Sequence, residues 1–219
     1  MNYNSLEKNP KRLKSVIAIS TYVLLTTCFF FNLTGPALAE KITKDQLSNY
    51  LNDLKILKAD FTQINPDGKL QTGSVFVKKP GKIRFEYDPP NKGLVLAFGG
   101  QLAIFDPKGN VAPERYPLKR TPLSFLLAKN IDLEDNSLLV AHSYDGISTT
   151  LKIDDPKFPE SGFIELIFTG PLLELRQWVI QNQYGERTTF VLNDLIVNVN
   201  INDSLFSIPL QMEKLKSQR

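Results

Sequence analysis

Val77-Lys78-Lys79-Pro80-Gly81-Lys82-Ile83-Arg84-Phe85-Glu86-Tyr87, running straight into Asp88-Pro89-Pro90, is the stretch from which the fold can be read. Ile83, Phe85 and Tyr87 alternate with Lys82, Arg84 and Glu86, the period of two that a half-buried strand needs. Pro80-Gly81 and Asp88-Pro89-Pro90 bracket it with turn chemistry. Outward from this strand the pattern repeats. Strand-like runs are expected near 58–64, 70–78, 92–98, 101–106, 138–145, 147–153, 163–169, 172–181 and 185–195. Val197, Val199 and Ile201, alternating with Asn198, Asn200 and Asn202, add another. Turns separate the runs at Asn65-Pro66-Asp67-Gly68, Gly99-Gly100, Asp106-Pro107-Lys108-Gly109, Asp145-Gly146 and Tyr184-Gly185. Short strands so spaced predict a meandering antiparallel sheet. With about eleven strands and few helices, the fold class is mainly β, a half-open antiparallel barrel.

Two helices are expected. Over Ile42–Leu57, Thr43 and Gln46 have the spacing of a capping box, and Leu47, Tyr50, Leu51 and Leu54 recur on one face. In Thr121-Pro122-Leu123-Ser124-Phe125-Leu126-Leu127-Ala128, proline at the first helical position precedes an apolar run. That segment is either a lid over the sheet or an ordinary packing helix, and its residues alone leave both open.

The N-terminus points to export. Lys8, Lys11, Arg12 and Lys14 precede the uncharged run Val16–Phe31, and Ala37-Leu38-Ala39 supplies small residues for a signal peptidase. The apolar core is shorter than the ~20 residues of a spanning helix. Residues 1–39 are therefore expected to be a cleaved signal peptide, and 40–219 one domain in the periplasm. Acylation at Cys28 is disfavoured, because Thr27 is large for the residue before a lipidated cysteine. Residues 1–39 hold 4 of the 26 basic and 1 of the 23 acidic residues, so the remainder carries 22 of each. No basic footprint is left for nucleic acid. The single cysteine lies in the signal, so no disulfide or thiol chemistry is expected.

Chemistry-bearing motifs are sparse. His142 is the one histidine, and no serine sits in a nucleophile elbow. Asp154-Asp155 reads as a turn, and Asp132, Glu134 and Asp135 as a solvated loop. No enzyme activity, metal or cofactor is expected. What stands out is apolar bulk at Phe61, Phe76, Phe85, Leu96, Phe105, Ile167, Trp178 and Phe190, with Phe125 in the short helix. For any one of these, filling the core is the simpler reading. Together, in a wide half-barrel, they are the expected lining of a lipid cavity.

Several of these residues also carry a resemblance. Phe61-Thr62-Gln63, the Val77–Tyr87 block with its Asp88-Pro89-Pro90 turn, Ala103-Ile104-Phe105-Asp106-Pro107, the Thr121-Pro122 helix and Phe206-Ser207-Ile208-Pro209 resemble the outer-membrane lipoprotein carrier family (LolA). The resemblance spans about residues 42–210. It implies a monomeric half-barrel that takes acylated lipoproteins from an inner-membrane ABC transporter and shields their acyl chains. It then passes them to an outer-membrane acceptor. The alternative is a periplasmic lipid or lipoprotein sensor or scaffold on the same fold. Two departures are present. Lys79 stands where the family has a lid-latching arginine, and Gly99-Gly100 replaces an Asp-Gly turn. Lysine offers fewer donors in less fixed geometry, so a weaker latch is expected at Lys79.

Overall fold

A computed structural model describes residues 40–106, 112–134 and 137–217. The expected signal segment 1–39, most of the Asp106–Gly109 turn and Asp135 lie outside the described residues. The alternating segments pair into strands β1 (Ile56–Ile64), β2 (Leu70–Lys78), β3 (Lys82–Tyr87), β4 (Leu94–Phe98), β5 (Gln101–Phe105) and β6 (Glu114–Pro117). After a crossover come β7 (Leu139–Tyr144), β8 (Ser148–Asp154), β9 (Phe163–Thr169), β10 (Glu174–Gln181) and β11 (Arg187–Val197). All are antiparallel in one open sheet of order β6-β5-β4-β3-β2-β1-β11-β10-β9-β8-β7. The chain thus walks outward from β1 to one edge, crosses to the other edge, and returns to zip β11 onto β1 at the centre.

That sheet is strongly curled. β3 and β10 are four places apart, about 19 Å if the sheet were flat at ~4.8 Å per strand. Yet the rings of Phe85 on β3 and Trp178 on β10 lie 6.1 Å apart, centroid to centroid. The concave face holds the main core, into which pack helix α1 (Lys44–Asp53) and the crossover, with its single helical turn α2 (Leu123–Leu126). On the outer face a smaller cluster forms around Leu94, Leu96, Ala103 and Phe105. It is covered by Ile208 and Met212 of the C-terminal helix α3 (Ile208–Ser217).

The α1 capping box is present: the Thr43 hydroxyl accepts from Gln46 N, and Gln46 Oε1 from Thr43 N. The helix ends four residues before the expected Leu57, because Ile56 and Leu57 pair with Lys78 and Val77 of β2. Sheet pairing there overrides helical spacing. The alternation at Val197–Asn202 does not continue the sheet past Val197. Asn198 adopts a left-handed backbone (φ 57°), and Asn202 caps a 3₁₀ turn over Asp203–Phe206. The eleventh strand is instead β6, which, like α3, was not expected from the sequence pattern.

Candidate functional site

Strand alternation decides which apolar side chains meet. Phe61, Phe85, Trp178 and Phe190 point to the concave face, and Phe125 enters the same core from α2. Phe61 packs at 5.6 Å from Phe85 and 5.8 Å from Phe190, and Trp178 at 5.7 Å from Phe190. Phe61 and Trp178 are each 1 % exposed. Gly73 on β2 makes the cluster possible, since a Cβ there would meet the Glu86 carbonyl oxygen at 2.0 Å and Phe61 Cζ at 2.9 Å.

Four of the expected lining residues are corrected by the same alternation. Phe76 is paired with Arg84 and Lys58, opposite in phase to the buried Val75 and Val77. It lies on the outer face, with the Lys58 ammonium 5.8 Å from its ring. Leu96 and Phe105 are buried, but beneath α3 on the outer face. Ile167 is half-buried on the outer face, while its neighbours Leu166 and Phe168 are fully buried on the inner one. The concave lining that the sequence reading missed is aliphatic: Val75, Val77, Leu151, Ile164 and Leu166.

The covers are tied down by a few individual hydrogen bonds. Asn52 of α1 exchanges two with the Ile131 backbone at 2.8 Å each, and Ser48 Oγ accepts from Leu133 N at 3.0 Å. The Tyr50 hydroxyl accepts from Leu175 N on β10. The Lys79-Pro80-Gly81 turn reaches both covers: Lys79 Nζ donates to the Leu51 carbonyl at 2.8 Å, and Gly81 N to that of Leu127 at 2.9 Å. The last turn of α1 holds no basic residue, so the Lys79 ammonium supplies the cation that its dipole favours. Burial pushes the pKa of this ammonium down to about 8.

Polar groups interrupt the apolar face, among them Thr149 on β8, whose Oγ1 accepts from Ile42 N. The Tyr87 hydroxyl donates to Gln63 Oε1, and burial pushes its pKa up to about 12. The indole Nε1 of Trp178 is the one buried side-chain polar atom without a hydrogen-bond partner among the described residues. No cluster of metal-ligating side chains occurs among them. His142 has Nε2 2.9 Å from the Ile42 carbonyl, and its own carbonyl accepts from Lys41, so it anchors the start of the domain to β7.

Beneath α2, Phe125, Leu138, Ile153 and Phe158 border about 20 Å³, room for roughly one water. Larger hollows, about 480 Å³ beside Arg84 and Leu210 and about 450 Å³ at Leu70 and Asp88–Asn91, lie away from the aromatic cluster.

A family profile described as outer membrane lipoprotein carrier protein LolA matches residues 52–209, well over half the chain. The chain belongs to the outer-membrane lipoprotein carrier family. Among curated members of the family, the outer-membrane lipoprotein carrier protein of Dechloromonas aromatica is 32% identical over 178 residues, 76% of this chain and 81% of that one. The corresponding protein of Coxiella burnetii is 26% identical over 197 residues, 86% and 92% of the two chains. Among solved structures, a LolA superfamily protein from Nitrosomonas europaea aligns with 76% of this chain and 98% of its own, at 12% identity and a TM-score of 0.44.

Proposed function

We propose that this protein is a non-catalytic periplasmic carrier that shields the acyl chains of lipoproteins against its concave aromatic face and delivers them from the inner to the outer membrane. Residues 1–39 are its cleaved signal peptide, and its partners are an inner-membrane ABC transporter and an outer-membrane acceptor. One observation carries the reading. The buried aromatic face is closed by α1 and the crossover, two covers held by apolar packing and a handful of hydrogen bonds, and not by further strands. At ~0.8 kcal/mol per CH₂, one long acyl chain costs on the order of 10 kcal/mol to leave in water, so crossing an aqueous space requires a soluble shield. Phe61, Phe85, Phe125, Trp178 and Phe190 are buried in one cluster with residues of α1 and the crossover, so loading is a displacement of those covers. An interior without fixed ionic anchors suits a cargo that must also be released.

The test uses protein recovered from the periplasm, expected to begin at Glu40 by N-terminal sequencing. A hydrophobic dye bound to it should be displaced by a triacylated peptide and not by the same peptide without its chains. Equal displacement by both would replace the lipid site with a peptide surface.

Lys79 is proposed as the latch, and it carries a pH dependence whose sign follows from burial. With the covers closed its pKa is about 8. Once they lift, water returns it towards its usual value near 10.4. Between those values the opened state binds more protons, so the closed state gains stability as pH rises through that window. Dye uptake should therefore slow from pH 7 to 9.5 in the wild type. Lys79→Met should flatten the profile, and Lys79→Arg, with more donors for the cover carbonyls, should slow uptake at pH 7. A slope that survives in Lys79→Met would assign the effect to another group.

A further inference from the structure

Trp178 Nε1 is buried, and it has no hydrogen-bond partner among the described residues. Buried polar groups in native proteins are overwhelmingly paired, and an unpaired donor lowers stability until an acceptor arrives. Its neighbours cannot supply one. Phe85 meets the indole edge-to-face, Phe190 lies tilted against it, and Leu166 sits opposite it on β9. The buried polar side chains are otherwise engaged: Gln63 with Tyr87 and Asn65, Thr149 with Ile42 N, and Ser48 with Leu133 N. Gln63 lies two strands along the same register row, about 10 Å away at the usual strand spacing. A resident water would need two to four polar partners, which this aromatic surround does not offer.

We infer that the Trp178 indole N–H is the recognition point for the acyl carbonyl of the cargo, the ester or amide that joins a fatty chain to its head. This rests on the carrier reading and deepens it, by giving an otherwise featureless apolar face one directional contact. The donor is unsatisfied when the covers are closed and satisfied when the cavity is loaded, so the contact favours the loaded state selectively. It holds the linkage at the cluster's centre, with the methylene chain left to run along the surrounding rings. Because the donor is neutral, the contact adds discrimination without the tight hold of an ion pair. Release stays compatible with it.

The experiment compares two double-chain glycerolipids of equal chain length, one ester-linked and one ether-linked, as competitors for the bound dye. Wild type should prefer the ester about fivefold, the size of one net hydrogen bond. Trp178→Phe, which keeps an aromatic ring and removes the donor, should lose the preference for the ester over the ether, whatever its affinity for either lipid alone. Trp178 is the one tryptophan of the chain, so its indole N–H gives a single proton resonance. That resonance should move downfield with the ester and not with the ether. If wild type and Trp178→Phe discriminate alike, or if both lipids bind without moving the indole resonance differently, the inference is wrong and the carrier reading stands. If neither lipid binds, both the inference and the carrier reading fall.

Discussion

Phe61→Ala is expected to lower the unfolding free energy by about 3–5 kcal/mol, the usual cost of emptying a fully buried phenylalanine site. Phe61 touches Phe85, Tyr87 and Phe190, and contacts on three sides leave the neighbours little freedom to collapse into the gap. For a domain of this size that is a fall of roughly 10 °C in Tm. Phe76→Ala is the internal comparison, because Phe76 is half-buried on the outer face beside Lys58. Its loss should be about 1 kcal/mol. Urea denaturation of the two variants measures the difference. Equal losses would mean that β1 and β2 do not present the faces described.

Gly73→Ala should be as damaging although it adds a single carbon. A Cβ at Gly73 would lie 2.0 Å from the Glu86 carbonyl oxygen and 2.9 Å from Phe61. The first of these is backbone, held in the β2–β3 ladder by the pairing of Gly73 with Tyr87 and Ser74 with Glu86. Rotamer changes cannot relieve that clash, so the strands must separate locally. A loss on the order of 3 kcal/mol, or failure to accumulate, is expected. Gly170→Ala, where a Cβ meets nothing within 4 Å, should change stability by no more than about 0.5 kcal/mol. A wild-type denaturation midpoint for Gly73→Ala would show that β2 can shift relative to β3.

These two residues also show where sequence reading succeeds and where it stops. β3 is legible because its outward residues are charged, so Ile83 and Phe85 declare one face unambiguously. In β4, Leu94-Val95-Leu96-Ala97-Phe98 is apolar at every position, since α3 covers the outside as the core covers the inside. Period alone then cannot say which side Leu96 takes. The C-terminal helix that would resolve it buries chiefly Ile208, too faint a stripe to read in advance. Phe76 shows a related limit: in Val75-Phe76-Val77 the largest side chain faces out and the two smaller ones face in. Phase relative to Phe61 across the β1–β2 hairpin was the better guide than size, and the Gly73–Phe61 pairing carries that phase. Lys79 was recognisable through the resemblance to the carrier family alone, and its acceptor, a carbonyl at the end of α1, carries no sequence signal of its own.

The seam between β1 and β11 has a kinetic consequence. Phe61 lies opposite Leu192, so the middle of the sheet is built from the two ends of the domain. Pairings between such distant positions close late and slowly, because the intervening chain must surrender its freedom before the contact repays it. A polypeptide emerging N-terminus first, from a ribosome or a translocation channel, holds β1 with only one of its two neighbours until residues 187–197 appear. The half-finished sheet, with its aromatic row uncovered, is the species on which holding chaperones would act, and the last strand to arrive is the one that ends their work.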